Sequence, residues 1–291
     1  MRALPEHDWT LRHQAAKHFS WRVRASGWLW ALADDPAFSD TYDLVIATSL
    51  TSLLPLKAQS TALQNTPLWL YFHENQFAHP IAHDAAKSAQ AGWQFQSLQN
   101  ALCADWLTFN THFNRDTFFA GARHMARHFP EPLPLPIDHW ESHSDILPVP
   151  LNDPPENDSA PPTKTPRLIV WNHRWEWDKA PERFLRALEN LSREGLDFQL
   201  AMLGSGGGKS HALDAFAESL STHIVAWGEA DPPSYRQWIA RADIGISTAL
   251  HDFQGLSMLE LARAGARVVV PRRVAYPECL PDATFFTGSA E

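Results

Sequence analysis

Three groups of polar residues in this sequence have the types and spacing to do chemistry. The first is NHRWEWDK (172–179), which directly follows the apolar run RLIVW. Asn172 offers an amide. Arg174 and Lys179 offer positive charge suited to a diphosphate, with the next helix N-terminus adding its dipole. The plainer alternative is a solvated loop with ordinary surface ions. The second group lies in STALHDFQGLSMLELARAG (247–265). Asp252 precedes Glu260 by eight residues, and Gly255 stands between them just before a helix. A glycine there lets backbone N–H groups approach an anion at the helix start. Asp252 suits sugar hydroxyls and Glu260 suits ribose hydroxyls, although an acidic helix cap is the simpler use of such residues. The third group is LWLYFHENQFAHP (68–80), where a strand runs straight into His73, Glu74, Asn75 and Gln76. Adjacent polar groups in that number exceed what one turn needs, so they are expected to form a hydrogen-bonding cluster facing a cleft.

Other motifs carry less. GSGGGKS (204–210) resembles a phosphate-cradling loop, but Leu203 stands where the pattern requires its first glycine. HMARH (124–128) spaces two histidines four apart without the glutamate of a zinc-protease helix. His73, His79 and His83 have no acidic or cysteine partner placed to complete a metal site, and no Asp-x-Asp triplet occurs. No metal is expected. Two basic stretches interleave cations with aromatics, a pattern suited to RNA backbone contact and base stacking. One holds Arg12, Lys17, Arg22 and Arg24 with Phe19 and Trp21. The other holds Arg115, Arg123 and Arg127. Solvated helix faces are the simpler reading of both.

These groups must be positioned by regular elements. From residue 167 the chain alternates apolar runs with helical spacing: strands at 167–172, 198–204, 223–228, 242–248 and 266–271, and helices at 180–194, 210–220, 232–241 and 256–264. Such alternation implies a parallel sheet covered on both faces, a Rossmann-like domain. The first part reads similarly but less completely, with strands at 43–49, 68–74 and 106–110 and helices at 83–103 and 111–127. Between them, 130–166 is proline-rich and reads as an interdomain linker. The expected domains are therefore 1–129 and 167–291, two Rossmann-like domains facing a cleft. Ligands of such folds sit at the carboxyl ends of the strands.

Composition bounds the partners. The 291 residues suit about two domains. With 24 Lys+Arg against 33 Asp+Glu, the net charge of -9 argues against nucleic-acid binding by bulk charge and leaves local patches as the only route. The two cysteines form neither a disulfide framework nor a zinc spacing. No apolar run of membrane-spanning length and no signal peptide are visible, so a cytoplasmic protein without a membrane partner is expected.

Taken together, the HENQ segment with its preceding YF, WNHRWEWDK, HDFQG…LE and VAYPE (274–278) resemble the tRNA-queuosine alpha-mannosyltransferases. The resemblance runs roughly from His18 to Glu278. It implies an α/β fold of GT-B architecture and a retaining, metal-free glycosyltransferase. The implied donor is GDP-mannose, with no separate cofactor. The implied acceptor is queuosine at the wobble position of tRNA-Asp. Arg174 and Lys179 match the residues expected at the diphosphate, with Asn172 beside them. Asp252 matches the acid at the mannose hydroxyls and Glu260 the one at the ribose. Gly255 and Leu256 match backbone donors to the phosphates. His73 and Glu74 would act with Asp252 at the reacting centre, and Asn75 and Gln76 would face the acceptor. The sequence departs from the family pattern in two ways. The family's opening strand and glycine loop would precede Met1, so the first domain is expected to lack its first strand. Asp also stands at 252 where the family commonly has Glu. A related glycosyltransferase with another acceptor, or a nucleotide- or tRNA-binding homologue without catalysis, stays open beside this reading.

Overall fold

The computed structural model describes residues 5–15, 17–33, 35–80, 87–153, 166–206 and 211–288. The chain divides into two compact units, Met1–Leu147 and Pro148–Glu291.

Unit 1 runs α1 (Phe19–Ala31), β1 (Val45–Thr48), α2 (Leu53–Gln59), α3 (Thr61–Gln64), β2 (Leu68–Phe72), α4 (Lys87–Cys103), β3 (Trp106–Phe109), α5 (His112–Arg127), α6 (Ile137–Ser142) and β4 (Ser144–Ile146). Its four strands are parallel in the order β1-β2-β3-β4. Alternation along the strands sends Ala47, Leu68, Leu70, Phe72, Leu107 and Phe109 into one core with Phe118 and Phe119 of α5. The opposite face carries Ile46 and Trp106, both exposed, so this sheet is buried mainly on one side. The Asp105 carboxylate accepts from the Leu68 N–H and pins the start of β2.

Two elements fall inside the proline-rich stretch expected to be a linker. Pro136 occupies the N-cap of α6, where its missing N–H costs nothing, and Leu107, Thr108 and Phe109 of β3 pair in register with β4. The compact first unit therefore extends to Leu147 rather than ending at 129. Residues 154–165 of that stretch lie outside the described residues, as do 83–86 of the expected helix 83–103 and Gly207–Ser210 of the glycine-rich loop.

Unit 2 runs β5 (Arg167–Asn172), α7 (Pro181–Arg193), β6 (Phe198–Leu203), α8 (His211–Ser219), β7 (Ile224–Gly228), α9 (Pro232–Arg241), β8 (Ile244–Ile246), α10 (Leu256–Arg263), β9 (Arg267–Pro271), α11 (Tyr276–Cys279) and β10 (Thr284–Phe286). The strand order is β10-β9-β8-β5-β6-β7, all parallel. Helices cover both faces: Leu168 and Val170 of β5 enter one core, and Ile169 and Trp171 the other. That double burial explains the unbroken apolar run. Phe184, Leu185 and Leu188 of α7 supply the second core, and Gly195, at φ 78°, follows the helix as its stop. Asp243 accepts from the Leu168 N–H as Asp105 does from Leu68 in unit 1. After β5 the chain first adds β6 and β7 on one side and later β8 and β9 on the other. The sheet thus reverses direction between β5 and β8, the place where open α/β sheets bind ligands.

Candidate functional site

The loops leaving β5 and β8 hold the first two polar groups of the sequence. Asn172, the last residue of β5, is buried. Its Nδ2 donates to Tyr235 Oη at 2.9 Å and to the Ser257 carbonyl at 3.2 Å. Tyr235, on α9, donates to Glu260 Oε2 at 2.5 Å. Burial and this carboxylate hold the Tyr235 phenol above its ordinary range, so it stays a donor. The chain Asn172–Tyr235–Glu260 therefore fixes Glu260 on α10 against the end of β5. His173 is also buried, with Nδ1 3.2 Å from Ser257 Oγ. Burial pulls its pKa down to about 4, so the ring is neutral at neutral pH.

Lys179 lies at the other side of this loop. Its ammonium donates to the His251 carbonyl at 2.7 Å and pairs with Asp178 Oδ2 at 3.2 Å and Asp252 Oδ2 at 3.7 Å. Both oxygens of Asp252 are engaged: Oδ1 accepts from the Gly255 N–H at 3.1 Å, and Oδ2 accepts from buried Tyr276 Oη at 3.1 Å. Tyr276 in turn shares a hydrogen bond with Ser247 at the end of β8. The pair expected to face ligand is thus also the clamp that joins the β5 and β8 loops. Arg174 is different. Its side chain is 71% exposed and meets Glu176 Oε1 at 2.9 Å. A surface pair of this kind breaks at little cost, which leaves the guanidinium available to an anion.

Gly255 takes the left-handed conformation, φ 75°, as the N-cap of α10, and a Cβ there would lie 2.6 Å from Tyr276 Cε1. It caps the helix without a side-chain acceptor. Leu256 and Ser257 occupy the first turn, where N–H groups lack intrahelical acceptors. Two buried polar atoms stand beside this helix end without a hydrogen-bond partner, Asn172 Oδ1 and His173 Nε2. The sequence reading gave no separate role to His173, Asp178, Tyr235 or Tyr276. Gly204, the glycine that ends the expected strand 198–204, has a φ of 118° and a close approach to the His173 carbonyl that exclude a side chain.

In unit 1, HENQ follows β2. The Asn75 amide donates to the Asn114 carbonyl, Asn114 Oδ1 and Thr117 Oγ1, and its oxygen accepts from the Phe77 and Ala78 N–H groups. Asn114 continues the network to the Phe72 carbonyl and Asn110, and Asn110 to the His73 carbonyl. Both ends of the Asn75 amide, expected to face the acceptor, are used within unit 1, where they hold the turn after β2. Buried Gln76 likewise holds Glu74 Oε1 at 3.1 Å. His73 and Glu74 are the half-buried side chains that this network presents.

The basic stretches separate. Arg123 pairs with Asp138 and Glu141, and Arg115 with Asp116, so the second stretch is largely neutralised internally. In the first, Arg12 is bound to Asp35, whereas Lys17 and Arg22 form no ion pair among the described residues. No group of three or more His, Cys, Asp or Glu among the described residues is placed to hold a metal, and no described helix is long and apolar enough to cross a membrane.

Both units resemble known proteins. Residues 1–151 match the family described as tRNA-queuosine alpha-mannosyltransferase N-terminal, and residues 166–287 match glycosyl transferases group 1. A Drosophila melanogaster tRNA-queuosine alpha-mannosyltransferase is 28% identical over 290 residues, covering 94% of this chain and 74% of the relative. Among solved structures, TarM superposes with a TM-score of 0.59 at 14% identity, over 85% of this chain and 45% of that one. An E. coli trehalose-6-phosphate structure bound with UDP-2-fluoro glucose gives 0.59 at 16%, over 92% of this chain and 66% of that one. The two parallel-sheet α/β units are those of GT-B glycosyltransferases.

Proposed function

Because the chain belongs to the tRNA-queuosine alpha-mannosyltransferase family, we propose that it transfers mannose from GDP-mannose to the queuosine of tRNA-Asp, with retention and without a metal. The observation that carries the donor site is the pair of unpartnered buried atoms, Asn172 Oδ1 and His173 Nε2, beside the α10 N-terminus at the sheet's reversal point. Buried polar atoms without partners are costly, and a ligand that hydrogen-bonds to them offsets that cost.

In this reading the diphosphate lies against the first turn of α10, with Arg174 released from Glu176 to meet it. Glu260, held by Tyr235, accepts from the ribose hydroxyls. Asp252 keeps Lys179 and Gly255 in place and offers its remaining acceptor capacity to the sugar. The bond from mannose C1 to the phosphate oxygen breaks, leaving an oxocarbenium-like sugar and a diphosphate that gains charge. The helix dipole and Arg174 stabilise that charge. The acceptor hydroxyl attacks C1 on the same face, and its proton passes to the departing phosphate oxygen, so GDP leaves. His73 and Glu74 are assigned to substrate in unit 1.

Titration calorimetry with GDP tests the donor site. The parent chain binds, and Arg174→Ala weakens binding about tenfold or more, the usual loss for a charge-assisted contact. Equal binding by the variant refutes the diphosphate role.

A further inference from the structure

Unit 1 holds an open pocket of about 460 Å³ at the carboxyl end of β1. It is lined by Thr48 and Thr51, by Gln14 and Lys17, and by Phe19 and Arg22 of α1. Strand carboxyl ends are where α/β sheets take ligands.

The charge here is uncompensated. Arg22 makes one long hydrogen bond, 3.4 Å to Gln14 Oε1, and its buried Nε has no hydrogen-bond partner. Neither Arg22 nor Lys17 is paired with a carboxylate among the described residues. This is notable in a chain of net charge -9 whose other cations in this stretch are committed, Arg12 to Asp35 and Arg24 over the Trp93 ring. The first turn of α1 carries no acidic residue and no side-chain cap, so its positive end adds to the same field. One aromatic points to the rest of the ligand: Phe19 is 60% exposed and lines the pocket. An exposed ring beside unpaired cations suits a stacked base next to its phosphate, and the lining hydroxyls and amide suit base edges.

We propose that this pocket takes one nucleotide of a single-stranded RNA loop, its base against Phe19 and its phosphate on Arg22 and Lys17. The inference rests on the reading that the acceptor is RNA and adds the surface that grips it. The geometry identifies a nucleotide by chemistry, not by sequence.

The test measures binding of a fluorescein-labelled seventeen-nucleotide RNA stem-loop, with a seven-nucleotide loop, to the full chain by anisotropy. The variants are Arg22→Gln, Lys17→Gln and Phe19→Ala, and unlabelled GMP serves as competitor. Removing a stacked ring weakens binding about tenfold. Removing a phosphate contact weakens it and flattens the salt dependence. Lys17 and Phe19 are exposed, so those two variants keep the test intact if Arg22→Gln misfolds. Competition by GMP supports a pocket that recognises a lone nucleotide. Weakening in the variants without GMP competition supports one that needs the flanking strand. Normal binding by the parent with all folded variants within twofold of it overturns the pocket and leaves the RNA reading standing. Absence of stem-loop binding by the parent overturns both.

Discussion

At the scale of residues, the donor site separates groups that wait for ligand from groups that hold the frame. Arg174 projects into solvent with one surface ion pair, so Arg174→Ala is expected to change stability by less than about 0.5 kcal/mol while cutting turnover about 100-fold or more. Denaturant midpoints and steady-state rates check both halves. Asp252 does the opposite work. It accepts from the Gly255 N–H and Tyr276 and sits 3.7 Å from Lys179, all within a largely buried cluster. Asp252→Ala leaves those donors short of an acceptor and is expected to cost about 1–3 kcal/mol in chemical denaturation, along with activity. His173 sets a pH dependence. Its pKa is lowered on folding, so the unfolded chain binds the extra proton first as pH falls. The stability it contributes is complete above the unfolded value near 6.5 and is lost as pH falls toward the folded value of about 4. His173→Gln is expected to flatten that part of the stability–pH curve.

At the scale of elements, what the sequence disclosed depended on how local each cause was. The apolar run 167–172 and the spacing of Phe184, Leu185 and Leu188 betrayed β5 and α7, because burial on two faces or one stripe leaves a periodic trace. Helix α1 left none: its aromatics fall on two opposite faces, Phe19 and Trp30 on one and Trp21 and Trp28 on the other, and its N-cap, His18, is in the left-handed conformation without a capping bond. Helix α6 and strand β4 were hidden by prolines that turn out to stand where no N–H is required. Arg174, Asp252 and Glu260 were legible as polar types at strand ends and a helix start. Tyr235 and Tyr276 were not, since each meets its partner across 24 or more residues and reads locally as core. The β5–β6 loops meet at Gly204, where φ is 118° and a Cβ would sit 2.1 Å from the His173 carbonyl oxygen. Gly204→Ala must shift that backbone. It is expected to cost at least about 1–3 kcal/mol and to weaken GDP binding, read together by thermal melts with and without nucleotide.

At the scale of the whole molecule, charge and family meet. A chain of net charge -9 binds RNA through few cations, and the ion pairs of Arg12, Arg115 and Arg123 reduce that number further. The salt dependence of RNA binding is therefore expected to be shallow. A slope of log K against log salt of about -1 to -3 fits two to four phosphate contacts on a single strand. A steep slope would mean more phosphate contacts than Arg22, Lys17 and a few further cations supply. The parallel sheets and their strand-end loops give the chain its place among GT-B glycosyltransferases, and the family match to residues 1–151 gives the acceptor class. Both support the proposed transfer. The most direct test incubates the full chain with GDP-mannose and queuosine-containing tRNA-Asp, digests the RNA and weighs the wobble nucleoside. The account predicts a gain of one hexose that depends on Arg174. An unchanged nucleoside, from folded protein that binds both GDP and the tRNA, would contradict it.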